Sequence, residues 1–186
     1  MFEKLLTKIA KELDKNSIPY MIIGGQAVLL YGEPRLTRDI DITLGISIDK
    51  IDKILKIIEE INLLPIPVDI KSFAEKTFVI PAKDKNSGIR IDFIFSQTSY
   101  ERQAIKRTND VKIKNITLKF ASIEDLIIHK IFAGRPRDLD DIRSVILKNP
   151  DFDKDYTVKW LKEFDASLGE DKFVNIFKHI LKSEKN

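Results

Sequence analysis

Cysteine is absent from the 186 residues, which rules out disulfides and thiolate zinc sites and fits a reducing cytoplasm. No run approaches the ~18 apolar residues of a membrane helix, and the first residues lack the apolar core of a signal peptide. A cytoplasmic location without a membrane partner is therefore expected. Histidine occurs twice, at His129 and His179. Each falls in a helical stretch with no Cys or third His as co-ligand, so both read as surface or boundary residues. Internal repeats and low-complexity linkers are missing. So are the P-loop with its Lys-Ser/Thr, G-x-G-x-x-G, G-x-S-x-G and H-E-x-x-H.

With 43% hydrophobic and 33% charged residues, the chain has the composition of one ordinary globular domain, or of a domain with a small appendage. Its net charge of +3 and pI near 8.9 are mildly basic. That falls well short of the concentrated positive charge of a DNA-binding arm, so nucleic acid is allowed as a partner but not demanded.

Phe2, Leu5, Leu6, Ile9 and Leu13 recur at helical spacing and predict an amphipathic helix over the first fifteen residues. Residues 20–23 form an apolar strand, 26–30 a helical turn and 39–44 a second strand. Ser47 can cap a helix with Ile48, Ile51, Leu55 and Ile58 as its buried stripe, ended by Leu64-Pro65-Ile66-Pro67. Residues 68–74 read as a loop with a short helix. Residues 77–81 and 90–95 form a hairpin across a polar turn, 99–106 is helical, and 111–113 and 116–120 are short strands. Ser122 and Asp125 have capping-box spacing ahead of an apolar helix. Gly134 is placed to end that helix and Pro136 to begin the next. After Asn149-Pro150, two amphipathic helices should pack as an antiparallel pair: one carries Val158, Leu161 and Phe164, the other Phe173, Ile176, Phe177, Ile180 and Leu181.

The chemistry concentrates in residues 22–44. The apolar run 20–23 feeds Gly24-Gly25, and thirteen residues separate Gly25 from Asp39 in Asp39-Ile40-Asp41-Ile42-Thr43-Leu44. Strand periodicity points both carboxylates the same way, about 6.5 to 7 Å apart. Two acids on one face repel unless a cation lies between them, and hard ions such as Mg²⁺ take oxygen ligands. Gly24 and Gly25 let a phosphate approach the backbone where a helix N-terminus offers N–H donors. Taken singly, a Gly pair is a tight turn and an Asp-x-Asp a solvated strand face; the combination carries the signal. Asp92, inside Ile91-Asp92-Phe93-Ile94-Phe95, faces away from the apolar set. Buried without a partner it would be costly, and a metal would be such a partner.

The pattern Gly24-Gly25-x-Ala27-x-x-x-Tyr31-Gly32-x-Pro34-Arg35-x-Thr37-x-Asp39-Ile40-Asp41 resembles the DNA polymerase beta-like nucleotidyltransferase superfamily. It is most similar to small prokaryotic members such as the abortive-infection type toxins of toxin–antitoxin pairs. The resemblance covers 16–120 well and 121–148 more loosely. It implies that Asp39 and Asp41 bind Mg²⁺ (or Mn²⁺) and a nucleoside triphosphate, with Asp92 as the third acid on a later strand. Gly24, Gly25, Arg35, Thr37 and Arg38 become candidate nucleotide contacts. Gln26 departs from the commonest family form, and no phosphate contact is assigned to it. In 125–142, Lys130 with Arg135, Arg137, Asp138 and Asp141 resembles the cluster that closes the site in the toxin-like subgroup.

Lys130 borders the buried face of its helix, where a charge either reaches solvent or meets an anion. Triphosphate is one candidate anion; Asp138 or Asp141 is the other. The two acids themselves read equally well as partners of a helix dipole.

The expectation is an α/β fold with a short mixed sheet, flanking helices and a C-terminal helical extension, divided into a core over 1–120 and an extension over 121–186. The expected activity is Mg²⁺-dependent transfer of a nucleoside monophosphate from a triphosphate to the hydroxyl of tRNA or other RNA, a protein or a small molecule. The expectation extends to the toxin role, with an antitoxin as partner. The alternatives are an inactive nucleotide- or partner-binding protein of the same fold, and a Mg²⁺-dependent phosphodiesterase.

Overall fold

A computed structural model describes residues 1–183. The chain divides into two compact units. The first comprises Met1–Gln26 and Leu36–Ala121; the second comprises Ala27–Arg35 and the chain from Ser122 onward.

The first unit is built on a seven-stranded mixed sheet in the order β3-β4-β5-β2-β1-β7-β6. Its strands are β1 (Tyr20–Ile23), β2 (Asp39–Leu44), β3 (Leu63–Pro65), β4 (Val79–Asp84), β5 (Arg90–Phe95), β6 (Asn109–Ile113) and β7 (Ile116–Phe120). The central β2 pairs antiparallel with β1 and parallel with β5, and β1 pairs parallel with β7. Residues of β1 are buried throughout, as a strand covered on both faces must be. Ile40, Ile42 and Leu44 of β2 and Ile91, Phe93 and Phe95 of β5 point into the core. The alternate positions of both strands therefore share the other face.

Helix α1 (Phe2–Lys15) buries Leu5, Leu6, Ile9 and Leu13 and packs beside β7. The α3 helix (Ile51–Glu60) buries Ile51 and Ile58 of the expected stripe but not Ile48 or Leu55. Ile48 lies in a 3-10 turn ahead of it, and Ile51, Ile54, Ile57 and Ile58 are buried instead of Leu55. Ile48 and Leu55 are half-buried, at the border of that face. Leu64 and Pro65, read as a helix terminator, belong to edge strand β3. Proline is tolerated there because one side of the ladder is unpaired. Residues 70–77 form a full helix, α4 (Ile70–Thr77), started by the Asp69 side chain accepting from Ser72 N and ended by Phe78 at φ 59°. The following strand accordingly begins at Val79, two residues later than the pattern suggested. Helix α5 (Ser99–Ile105) opens on a capping box of Thr98 and Glu101.

The second unit takes in α2 (Gly24–Tyr31) from Ala27 on, with α6 (Ile123–Ala133), α7 (Pro136–Lys148), α8 (Lys154–Leu168) and α9 (Lys172–Ser183). Ser122 caps α6, Gly134 ends it in the left-handed region, and Pro136 takes the first turn of α7, as the sequence indicated. The buried Asp165 of α8 accepts from Phe173 N and Val174 N at 2.8 and 3.0 Å. A carboxylate thus satisfies orphan donors at the start of α9 and folds that helix back on α8. Among the described residues no helix is long and apolar enough to cross a membrane.

Candidate active site

The register of β2 and β5 sets the geometry. Asp39 lies opposite Arg90 and Asp41 opposite Asp92. With strands about 4.8 Å apart and same-face residues about 6.5 Å apart along each strand, the four side chains mark the corners of one small rectangle. Three are acids and one is a guanidinium. Each alternates with a buried apolar residue, so hydrophobic burial of Ile40, Ile42, Ile91 and Phe93 forces the charged set onto the opposite face.

The glycines fit around these acids. Gly24 adopts φ +65°, and a Cβ there would fall 2.0 Å from Oδ2 of Asp41. A Cβ on Gly25 would fall 2.3 Å from Oγ1 of Thr37. Only glycine admits the Asp41 carboxylate and the Thr37 hydroxyl so close to the start of α2, whose first-turn N–H groups have no partner four residues back. Thr37, buried, donates its hydroxyl to Oδ1 of Asp39 at 3.1 Å. Gln26 Nε2 reaches the Asp39 carbonyl at 3.4 Å. Thr37 and Gln26 therefore hold the beginning of β2. That role was not apparent from the sequence, because it depends on a fold that brings residues 26, 37 and 39 together. Arg38 is exposed.

Asp92 is held by Arg90, with Nε donating to Oδ1 at 2.9 Å. Arg90 went unremarked in the sequence, although its spacing of two from Asp92 placed it on the same strand face. The Asp92 hydrogen bond raises the guanidinium pKa, burial opposes it, and the fields of Asp92, Asp39 and Asp41 add to the rise. Carboxylate oxygens are the donor type that Mg²⁺ and Mn²⁺ take, and the strand register brings the three acids to one place. As they stand, however, no three acidic or imidazole side chains among the described residues converge to hold an ion. Donor chemistry and strand placement fit a divalent metal, while the Asp39 and Asp92 side chains are turned to Thr37 and Arg90 respectively.

In the second unit, Arg35 and Lys130 are both engaged on Asp141. Arg35 donates from Nε to Oδ1 at 2.6 Å and from Nη2 to Oδ2 at 2.7 Å. The Lys130 ammonium, 7% exposed, lies 2.7 Å from Asp141 and 2.8 Å from Asp138. Arg135 closes the other side of Asp138 at 2.8 Å. Burial pushes both carboxyls up, but the hydrogen bonds from Lys130 and Arg135 to Asp138, and from Arg35 and Lys130 to Asp141, outweigh it and leave both pKa values lowered. Of the two anions open to Lys130, the structure supplies the carboxylates. Arg35 and Lys130, both expected at the phosphates, are paired in this structure with buried carboxylates, Arg35 with Asp141 and Lys130 with Asp138 and Asp141.

The Gly24-Gly25 turn thus leads from β1 into α2 against Asp39 and Asp41 of β2, with Asp92 beside them on β5. The chain belongs to the family described as nucleotidyltransferase of unknown function (DUF6036), whose model matches residues 2–181. It is an enzyme of that class. No curated protein matches it by sequence. Among solved structures it is similar to the antibiotic-resistance factor ANT(2'')-Ia, at 17% identity and a TM-score of 0.61, covering 91% of this chain and 95% of that one. An antigenic nucleotidyltransferase-like protein from Paracoccidioides brasiliensis matches at 19% identity and a TM-score of 0.57, over 79% of this chain and 74% of that one. The lincosamide antibiotic adenylyltransferase LnuA, in its lincomycin-bound form, matches at 20% identity and a TM-score of 0.52, over 77% and 95%. At these identities the likeness is one of fold.

Proposed function

We propose that the protein transfers a nucleoside monophosphate from a nucleoside triphosphate to an acceptor hydroxyl, with release of pyrophosphate and dependence on Mg²⁺ or Mn²⁺. The supporting observation is the β2–β5 register, which lines up Asp41 with Asp92 and places Asp39 on the same face, beside a glycine turn that presents backbone donors. A divalent ion held by these acids would supply positive charge to the triphosphate and to the attacking oxygen. Gly24 and Gly25 leave room for phosphate oxygens against the start of α2. Thr37 fixes the Asp39 carboxylate through its hydroxyl. Asp92 would take the proton of the acceptor hydroxyl.

The acceptor classes are RNA, protein and small molecules. The matched structures include proteins named for antibiotic resistance and for adenylyl transfer to a lincosamide, which supports a small hydroxylated acceptor. The motif resemblance to toxins supports a macromolecular acceptor and extends the proposal to one half of a toxin–antitoxin pair. Incubating the protein with α-labelled triphosphates, Mg²⁺ and fractionated cell extract separates these cases. Label in RNA, in protein or in a small-molecule fraction identifies the acceptor. Mononucleotide released from nucleic acid, with no transfer, replaces the proposal with a phosphodiesterase. Growth arrest on induction, relieved by Asp41→Asn, tests the toxin role.

A further inference from the structure

We propose that Arg90 is a built-in counter-ion of the carboxylate face, competing with a divalent ion for Asp92 and releasing it when that ion binds. The inference rests on the reading of Asp39, Asp41 and Asp92 as a metal site, and it explains why these acids share a face yet do not converge.

Three carboxylates and one cation occupy the four corners of the β2–β5 rectangle, and the cation is Arg90. Left alone, three acids within a few ångströms would repel one another. A guanidinium at the fourth corner answers that repulsion without a metal. It donates to Asp92 at 2.9 Å and lies in the field of Asp39 and Asp41. Its hydrogen bond occupies Oδ1 of Asp92, an oxygen that a metal would need.

The exposure of the two partners makes the clamp reversible. The Asp92 side chain is 19% exposed and stays with the strand, whereas that of Arg90 is 55% exposed and can move into water. A half-exposed ion pair contributes little, so the acids are quieted but not sequestered. Arg90 is thus a positioning residue. It holds Asp92 in a resting arrangement and leaves the site when a stronger cation arrives.

Lys83 provides the control. It stands opposite Arg90 on β4, on the same face and one strand further out. Removing its charge changes the general field while leaving the clamp intact.

The test is Mn²⁺ binding to the nucleotide-free protein, measured by calorimetry or electron paramagnetic resonance for wild type, Arg90→Gln, Lys83→Gln and Asp41→Asn. Competition requires Arg90→Gln to tighten Mn²⁺ binding about three- to fivefold, the scale of a half-exposed pair, and Lys83→Gln to change it by less than about twofold. Equal effects of the two substitutions, or no tightening by Arg90→Gln, overturn the proposal. Asp41→Asn separates this failure from failure of the metal site itself. If wild type binds Mn²⁺ and Asp41→Asn does not, the site stands whatever Arg90 does. If wild type binds none, both readings fall. A second measurement needs no variant: the Arg90 Nε–H signal in the NMR spectrum should be protected from exchange without metal and lose that protection as Mg²⁺ saturates the site. Protection that persists at saturation overturns the competition.

Discussion

Asp41 and Asp92 face each other directly across the parallel β2–β5 pair, one from the Asp-x-Asp strand and one from a strand some fifty residues later. Nothing in this pairing is needed to fold the sheet, because the core is filled from the other face by Ile40, Ile42, Ile91 and Phe93. Asp41→Asn and Asp92→Asn should therefore abolish transfer without unfolding the protein. In metal-free buffer Asp41→Asn should stay within about 1 kcal/mol of wild type, since it removes a like charge from a crowded face together with an attraction to Arg90. Asp92→Asn also loses a half-exposed pair with Arg90 and should stay within about 1 kcal/mol of wild type. Thermal melting checks both. A large loss of stability in each would make these acids structural.

Gly24→Ala should damage both stability and turnover. The residue sits at φ +65°, and the added methyl would meet the Asp41 carboxylate. Backbone strain and displacement together should cost about 1–3 kcal/mol. Moving Asp41 should lower turnover by about 10²-fold. Denaturant unfolding and steady-state kinetics report the two effects separately. A variant with wild-type values for both would mean the turn is wider than described.

Lys130 lies between Asp138 and Asp141, so its removal should act on the second unit's stability. Lys130→Met keeps the stem and deletes the charge. The expected destabilisation is ~2–4 kcal/mol, toward the lower part of the range for unpairing a buried charge because Arg35 and Arg135 still neutralise the acids. Triphosphate affinity of the folded variant should stay within about twofold of wild type. A tenfold loss of affinity at unchanged stability would return Lys130 to the phosphates.

The same cluster sets an acid limit. Asp138 and Asp141 have lowered pKa values in the folded protein. The stability they confer is therefore complete above the unfolded carboxylate value of about 3.9 and is lost as pH falls through the lower folded values. Urea unfolding from pH 6 to pH 2 should show stability falling steeply below about pH 4, and Asp141→Asn should reduce that slope. Parallel acid limbs for the two proteins would show that other carboxylates dominate.

The shared face of the three acids was legible in the sequence because it needs only local period: Asp39, Asp41 and Asp92 alternate with apolar residues that are buried. Ser122, Gly134 and Pro136 were legible because a cap or a helix start is a property of single residues. What depended on distant pairing was not. Leu63–Pro65 is a strand only because Ala82–Asp84 lies beside it. Arg35 stands next to the motif, and the carboxylate it pairs with in this structure, Asp141, is 106 residues away. Lys130 was expected to meet a triphosphate or one of Asp138 and Asp141, and which of them could not be read from helical spacing; it lies between both acids. The 27–35 segment gave no sign that it belongs with the helices after residue 121.

The most direct test of the central claim is the rate of pyrophosphate release from a nucleoside triphosphate, with acceptor fraction present, as Mg²⁺ is titrated into wild type and Asp41→Asn. The carboxylate face predicts saturable Mg²⁺-dependent release in wild type and a loss of at least about 10³-fold in Asp41→Asn at every Mg²⁺ concentration. Release that is independent of metal, or that survives in Asp41→Asn, would contradict it.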